Sequence, residues 1–544
     1  MPELEYASNF IKTRMEQDLA EGRVKEIVTR FPPEPNAYLH IGHVRAIITD
    51  FELAKEFNGY TNLRFDDTNP AKEGAEYVDA IQKDIEWLGY KAKNVYFGSD
   101  YFDRTYELAR KLIKDGLAYV DDLTPEQVTE YRGELDKPGK NSPYRDRSVE
   151  ENLKLFEEMK EGKYADGTKT LRAKIDMASP NINMRDPVMY RILHMAHHRQ
   201  GNKWCIYPMY DFAHPLQDSF EGVTHSLCSL EYDNHRPLYD WVIEKTGVSH
   251  IPHQIEFGRL NITNTIMSKR YLRSLVENGK VIGYDDPRMP TLVGLKRRGF
   301  TPESIKAFVM STGLSRVNST VDVGMLDECL RENLKLKVNR YMAVTNPLKV
   351  TITNWPKGEV VELDAANNGE NPELGSRKIK FSGSLYINQD DFCEVAPDKK
   401  YKRLALGLEV RLFYAYFIKA ESVIKDEAGN VIEVLATYDP ETKGGNGPRK
   451  PNGTISWVDA VYNKPATFNQ FEALITDPDE TKDITERVNP DSWKTLKGFI
   501  EPLDYAPQDR FQMMRDGYYC VDYDSKNDTP IFNRIVSLKS AIKK

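Results

Sequence analysis

The sequence predicts an α/β protein. A Rossmann-like nucleotide fold is interrupted by an insertion and followed by a helical subdomain, and a β-rich tail behind it forms barrels. Three observations carry that prediction. Strand and helix signals alternate through the first hundred residues, the alternation breaks near residue 100 and returns near 206, and from about residue 338 β-branched and aromatic residues alternate between Gly, Pro and Asn turns. A chain of 544 residues is too long for one core, so two to four domains are expected.

An apolar run at 27–31 leads into Arg30-Phe31-Pro32-Pro33-Glu34-Pro35-Asn36. A helical pattern over 42–58 follows, carried by Val44, Ile47, Ile48, Phe51, Leu53, Ala54 and Phe57. A strand at 62–65 and a helix at 75–87 complete a βαβα order, which implies a parallel sheet with ligands beyond the carboxyl ends of its strands. Between 100 and 209 the chain carries a Lys/Pro/Gly/Asn/Ser loop at 137–143, an acidic helix over 148–162 and a strand at 171–175, read as an insertion. The nucleotide fold resumes from Ile206 to Leu260, with the domain boundary set at 210. Helices over 303–311 and 325–334 mark a subdomain at 261–337. In the tail, 348–353, 410–417 and 454–458 read as strands, and 442–453, with four glycines and two prolines, reads as a mobile loop or hairpin tip.

Two short motifs carry the chemistry. His40-Ile41-Gly42-His43 sits where a strand and loop give way to a helix, so two imidazoles share the first helical turn, where backbone N–H groups and the helix dipole favour phosphate. Gly42 lets a nucleotide approach the backbone. Met267-Ser268-Lys269-Arg270 places a lysine on a Gly/Ser/Asn-rich loop, a point charge that can follow a departing phosphate. Asp66 falls at the carboxyl edge of a strand, where a buried carboxylate calls for a cation; helix capping by Asp66 or Asp67 is the competing reading.

The net charge of −8 argues mildly against a polyanion partner, but basic clusters stand at 296–298 and 399–403. No apolar run approaches the length of a membrane helix, and Met1-Pro2-Glu3-Leu4-Glu5-Tyr6 lacks the features of a secretory signal, so a cytoplasmic location is expected. The five cysteines are odd in number and scattered, indicating neither a disulfide framework nor a structural metal.

The paired motifs resemble the two signatures of class I aminoacyl-tRNA synthetases. The strings at 30–36, 63–70, 139–147, 205–212 and 285–291 resemble the glutaminyl-tRNA synthetase family. The resemblance implies ATP, with Mg2+, as substrate, and L-glutamine and tRNA(Gln) as partners of a monomer without membrane association. It implies that the insertion at 100–209 binds the tRNA acceptor stem and that the barrels at 338–544 bind the anticodon. It further implies that His40, His43 and Lys269 are catalytic. ATP is then held by Glu34, Pro35, Asn36, His40, Ile41, Gly42, His43, Val44, Arg45, Ala46, Ser229, Arg259, Leu260, Met267, Ser268 and Lys269. By the same resemblance glutamine is held by Asp66, Tyr210, Arg30 and Gln254, and the anticodon by Arg340, Lys402, Arg403 and Arg515. A hydroxyl such as that of Tyr210 both donates and accepts, as an amide requires. In Glu231-Tyr232-Asp233 the residue before the Asp departs from the family's usual Gln, which leaves the acceptor-stem role of Asp233 open. The alternatives are a barrel-tailed glutamyl or dual-specificity enzyme, an RNA-binding protein without catalysis, and a nucleotidyltransferase.

Overall fold

Val28–Phe31, Tyr60–Phe65 and Val95–Phe97 pair in parallel, with Val28 opposite Tyr60 and Leu63 opposite Val95. Much later in the chain, His225–Ser229 and His253–Phe257 form a second parallel pair. The two pairings meet where Thr224 N–H donates to Val28 O at 2.9 Å and Val28 N–H donates to Thr224 Oγ1 at 2.8 Å. The strands on either side of the intervening chain therefore belong to one nucleotide fold. The structure, a computed structural model, describes residues 6–71, 74–398, 400–526 and 528–538. The segment 1–5 and Lys399 of the basic cluster lie outside the described residues.

The chain divides into two compact units, residues 6–261 with Val309–Val321, and Ile262–Phe308 with 322–538. In the first, the helix Ile41–Glu56 buries Val44, Ile47, Ile48, Phe51, Leu53 and Ala54, the stripe expected from the sequence, but ends before Phe57. The helix Ala75–Trp87 lies where its periodicity placed it. Ser148 caps Val149–Lys160, its hydroxyl accepting from Glu151 N–H at 3.2 Å.

The insertion contains an antiparallel sheet of Ala118–Asp121, Thr170–Ala173, Val188–Ile192 and Ile206–Pro208. This corrects the resumption at Ile206. That strand completes the insertion's sheet through Tyr190 opposite Pro208, and the nucleotide fold resumes with the helix Tyr210–Phe220. The insertion has no core of its own, because Phe102, Tyr106, Phe156, Tyr190 and Trp204 share one apolar cluster with Phe212, Leu216, Leu238 and Val242.

The expected subdomain at 261–337 is divided. Ser319–Val321 forms a two-stranded sheet with Leu260–Ile262, and Gly258 N–H donates to Ser315 O at 2.8 Å. A Cβ at Gly258 would lie 1.9 Å from Val317 O, so the close approach that keeps Val309–Val321 in the first unit requires glycine.

In the second unit, helices such as Lys269–Glu277, Leu292–Arg298 and Val323–Lys335 accompany two seven-stranded sheets. One sheet begins with Thr454–Ile455 and ends with Val458–Asp459; the other begins with Asn339–Tyr341 and ends with Ala343–Val344. In each case the two edge strands are neighbours in the chain, so the sheet curls back on itself and closes as a barrel. The first barrel packs around Trp457, Phe381, Leu385 and Val434, and the second around Phe468, Phe511, Tyr519 and Phe532.

Three expectations in the tail change. The 410–417 run is a hairpin of Glu409–Leu412 and Phe417–Lys425, reversed at Tyr414 with φ +62°. Periodicity does not show the reversal because Ala415 and Tyr416 are also buried. The 454–458 run is the pair of short edge strands that closes the first barrel. The start of 442–453 is anchored, since Thr442 is buried, its hydroxyl accepts from Phe417 N–H at 2.9 Å, and Gly445 N–H donates to Ala415 O at 2.8 Å. Among the described residues, no helix is long and apolar enough to cross a membrane.

Candidate active site

His40 is the N-cap of Ile41–Glu56, and its Nδ1 accepts from Gly42 N–H at 3.1 Å. Nδ1 of His43 accepts from His40 N–H at 3.1 Å, and the two rings lie 3.9 Å apart. An imidazole that accepts at Nδ1 carries its proton on Nε2. The capping arrangement therefore sets the tautomer that makes each ring a donor through Nε2 at a helix N-terminus, where an anion is favoured. Helix capping thus engages both Nδ1 atoms.

Beside it, Asn36 Nδ2 donates to Glu34 Oε2 at 2.5 Å, and Gly74 N–H donates to the carbonyl of buried Pro35 at 3.0 Å. Ile41 and Val44 are core residues, and Ala46 is half-buried. Arg45 is buried, donating to Gly313 O at 2.7 Å and Thr312 Oγ1 at 3.3 Å, so its guanidinium ties the helix to the returning segment. Ser229 closes its strand and opens the turn Leu230–His235. Arg259 is ion-paired with Glu231, and Leu260 is buried at the start of Leu260–Ile262. Met267 is half-buried, Ser268 is the N-cap of Lys269–Glu277, and Lys269 opens that helix in the second unit.

A cavity of about 380 Å³ is lined by Glu34, Asn36, Asp66, Thr68, Asn69, Arg191, Pro208, Met209, Tyr210, Asp211, Tyr232 and His235. Burial pushes the Asp66 carboxyl up to about 6, against the pull of Arg64 and the Thr68 hydroxyl. Burial likewise drives the Tyr210 phenol well above its ordinary range, so it stays a neutral donor and acceptor. Helix capping by either Asp is not what the structure shows. Gly74 is the N-cap of Ala75–Trp87, while Asp67 accepts from Ser99 N–H and Ser99 Oγ, both at 2.7 Å. Asp67, His197 and His198 could hold a metal by proximity. In this structure His197 Nε2 lies 2.6 Å from Asp67 O, and its Nδ1 accepts from Arg199 N–H at 3.1 Å, so the cluster ties two loops together.

Arg30 and Gln254 are not in the cavity wall. Gln254 donates to Tyr232 O at 3.2 Å and Glu256 Oε1 at 2.9 Å and faces a separate cleft, so it supports the wall from behind. Arg30 is fully buried, 3.1 Å from Asp218 Oδ1, 2.6 Å from Ser226 Oγ and 2.9 Å from Leu227 O. Arg64 joins the same carboxylate at 2.7 Å, and Tyr239 OH and Ser226 Oγ donate to it. Burial opposes ionisation of Asp218, but Arg30 and its other neighbours outweigh burial and hold it far below the carboxylate range. His214 touches Arg30 at 2.7 Å and Arg64 at 2.9 Å, and stacks on Tyr210 at 4.7 Å. A charged lattice thus supports the ring that faces the cavity.

Several cavity residues escape sequence reasoning. Tyr232 stands between the two acids of Glu231-Tyr232-Asp233, and His235 ends the same turn. Arg191 carries no local signal: it reaches the cavity from an insertion strand, Nη2 donating to Asn69 Oδ1 at 3.0 Å. Asp233 is half exposed and pairs with Arg236 at 3.3 Å.

In the tail, Arg340 pairs with Glu370 at 2.8 Å, and Lys402 is exposed. Arg515 makes a two-point pair with Asp391 at 2.6 and 2.8 Å, and Arg403 Nε lies 3.4 Å from the same carboxylate.

Residues 26–336 match the catalytic domain of class I tRNA synthetases (E and Q), and residues 338–439 and 454–522 match two anti-codon binding domains of that class. Over 551 residues the chain is 56% identical to Glutamine–tRNA ligase of Clostridium perfringens, covering 100% of both. Identity is 55% to that of Clostridium kluyveri and 54% to that of Clostridioides difficile, each over 99% of this chain and 98% of the relative.

Proposed function

Because the chain belongs to the class I tRNA synthetases of the E and Q group, we propose that it is a glutamine–tRNA ligase. It joins L-glutamine to the 3′-terminal adenosine of tRNA(Gln) at the expense of ATP, supplied as its Mg2+ complex. The observation that carries this reading is end-to-end similarity to relatives named for that reaction.

In the first step a glutamine carboxylate oxygen attacks the α-phosphorus of ATP and pyrophosphate leaves. In the second, a ribose hydroxyl of the terminal adenosine attacks the acyl carbon and AMP leaves. Neither step needs a protein nucleophile, so the residues act by position and charge. Asp66 takes the α-ammonium, and the Tyr210 hydroxyl, steadied through His214, meets the side-chain amide. His40 and His43 donate from Nε2 to phosphate oxygens, Glu34 and Asn36 with the 41–46 turn, Ser229, Arg259 and Leu260 hold the nucleotide, and Lys269 with Met267 and Ser268 attends the leaving pyrophosphate. Arg191 brings the insertion into the cavity wall, which links acceptor-stem docking to the amino-acid site. Arg340, Lys402, Arg403 and Arg515 receive the anticodon. The protein works in the cytoplasm as a monomer and needs no structural metal.

The test is charging of one purified tRNA pool with glutamine and, separately, with glutamate. Glutamine alone is expected to be accepted. Preferential glutamate charging would make the chain a glutamyl enzyme, comparable charging a dual-specificity one, and no charging would leave only RNA binding.

A further inference from the structure

Asp391 is almost fully buried, yet it serves two arginines that reach the surface. Its side chain is 5% exposed, against 29% for Arg515 and 43% for Arg403. The two come from different places. Arg403 precedes the strand Leu404–Ala405, whose parallel register sets Leu404 opposite Phe392 and so brings Arg403 alongside Asp391. Arg515 belongs to the second barrel, at the tip between Arg510–Met513 and Gly517–Val521, and holds φ +68°. A non-glycine residue in the left-handed region is retained where the surroundings impose it. Here they do so at three points. Met514 packs against the first barrel's core, Ser456 Oγ donates to Met514 O at 3.3 Å, and the Arg515 guanidinium closes on both oxygens of Asp391. The nearby Asp516 is bonded to Tyr519 OH at 2.8 Å, and the backbone carbonyl of Asp390 accepts from Arg403. One buried carboxylate therefore orients two guanidiniums across two anti-codon binding modules, and two positive charges against one leave a surplus facing outward.

We infer that Asp391 is a positioning residue for RNA recognition: it pre-orients Arg403 and Arg515 so that their exposed N–H edges meet phosphate or base acceptors of the anticodon loop without ordering two long side chains on binding. The inference rests on the proposed tRNA ligase activity. Charge alone makes the opposite forecast, since removing an acid from an RNA-facing surface strengthens attraction to phosphate.

The experiment is steady-state charging by the full chain with tRNA varied, for Asp391→Asn, Arg515→Ala and the double variant. Asp391→Asn is expected to raise KM for tRNA about tenfold, with kcat within about twofold of the parent. It should add little once Arg515 is Ala, and Asp391→Glu should recover part of the loss should the Asn variant fold poorly. A KM unchanged or lowered, an equal rise in the Arg515→Ala background, or a fall in kcat alone would overturn the inference. Failure of the parent chain to charge tRNA with glutamine would instead overturn the proposed function.

Discussion

The nucleotide fold and the barrels bury charge to different degrees. Beneath the cavity, Arg30, Arg64 and Asp218 lie in contact with no exposed side-chain surface. The barrels close around Trp457, Phe381, Phe468 and Phe532, and their ion pairs Arg340–Glu370 and Arg515–Asp391 keep at least one partner in water. Buried charge is costly and rarely the cheapest way to stabilise a core. Its concentration beside one cavity, with the side chains of the network fully withdrawn from solvent, marks the place where shape is held against a desolvation cost, while the barrel pairs, Arg377–Glu501 included, keep part of their surface exposed.

The comparison breaks most directly at Asp218. Asp218→Ala leaves two buried guanidiniums without their shared carboxylate and is expected to cost about 3–5 kcal/mol in urea denaturation. Glu370→Ala at the barrel rim should cost less than about 1 kcal/mol. Similar costs would show that the two regions do not differ.

Lys269→Ala separates chemistry from RNA affinity. On the proposed role, in which the ammonium acts on charge that develops only as pyrophosphate leaves, adenylate formation should slow by about a hundredfold or more, while tRNA binding by filter assay stays near the parent value. An unchanged activation rate removes Lys269 from the mechanism.

Asp66 tests whether the cavity is held at a cost. Its folded value near 6 stands above an ordinary 3.8, so stability is fully present at low pH and is lost as pH rises from about 4 to about 6. Asp66→Asn should therefore be more stable than the parent at pH 7, by up to about 3 kcal/mol, and no more stable at pH 4. In the parent, KM for glutamine should rise as pH falls through about 6, where the carboxylate takes up a proton, and this acid limb should vanish in the variant. A variant less stable at pH 7 would show that the carboxylate is not strained.

The smallest effect sharpens the picture at one atom. Tyr210→Phe keeps the ring on His214 but removes the hydroxyl, and KM for glutamine should rise about tenfold with narrower discrimination against glutamate. An unchanged selectivity ratio would assign amide recognition elsewhere.

Local features were legible in the residues alone. The stripe from Val44 to Ala54, the helix Ala75–Trp87 and the His40/His43 turn depend on neighbours within one or two turns of chain, and periodicity and capping report them directly. Tertiary structure decided the rest. Arg30 and Asp218 stand 188 residues apart, Arg191 and Asn69 122, and Arg515 and Asp391 124. Spacing carries no information about such contacts, so it shows neither that Arg30 and Gln254 stand behind the cavity wall nor that Arg191 forms part of it. The hairpin at Tyr414 escaped for a related reason. A buried reversal keeps its residues apolar, and only the closure of the barrel around it distinguishes the turn from the strand.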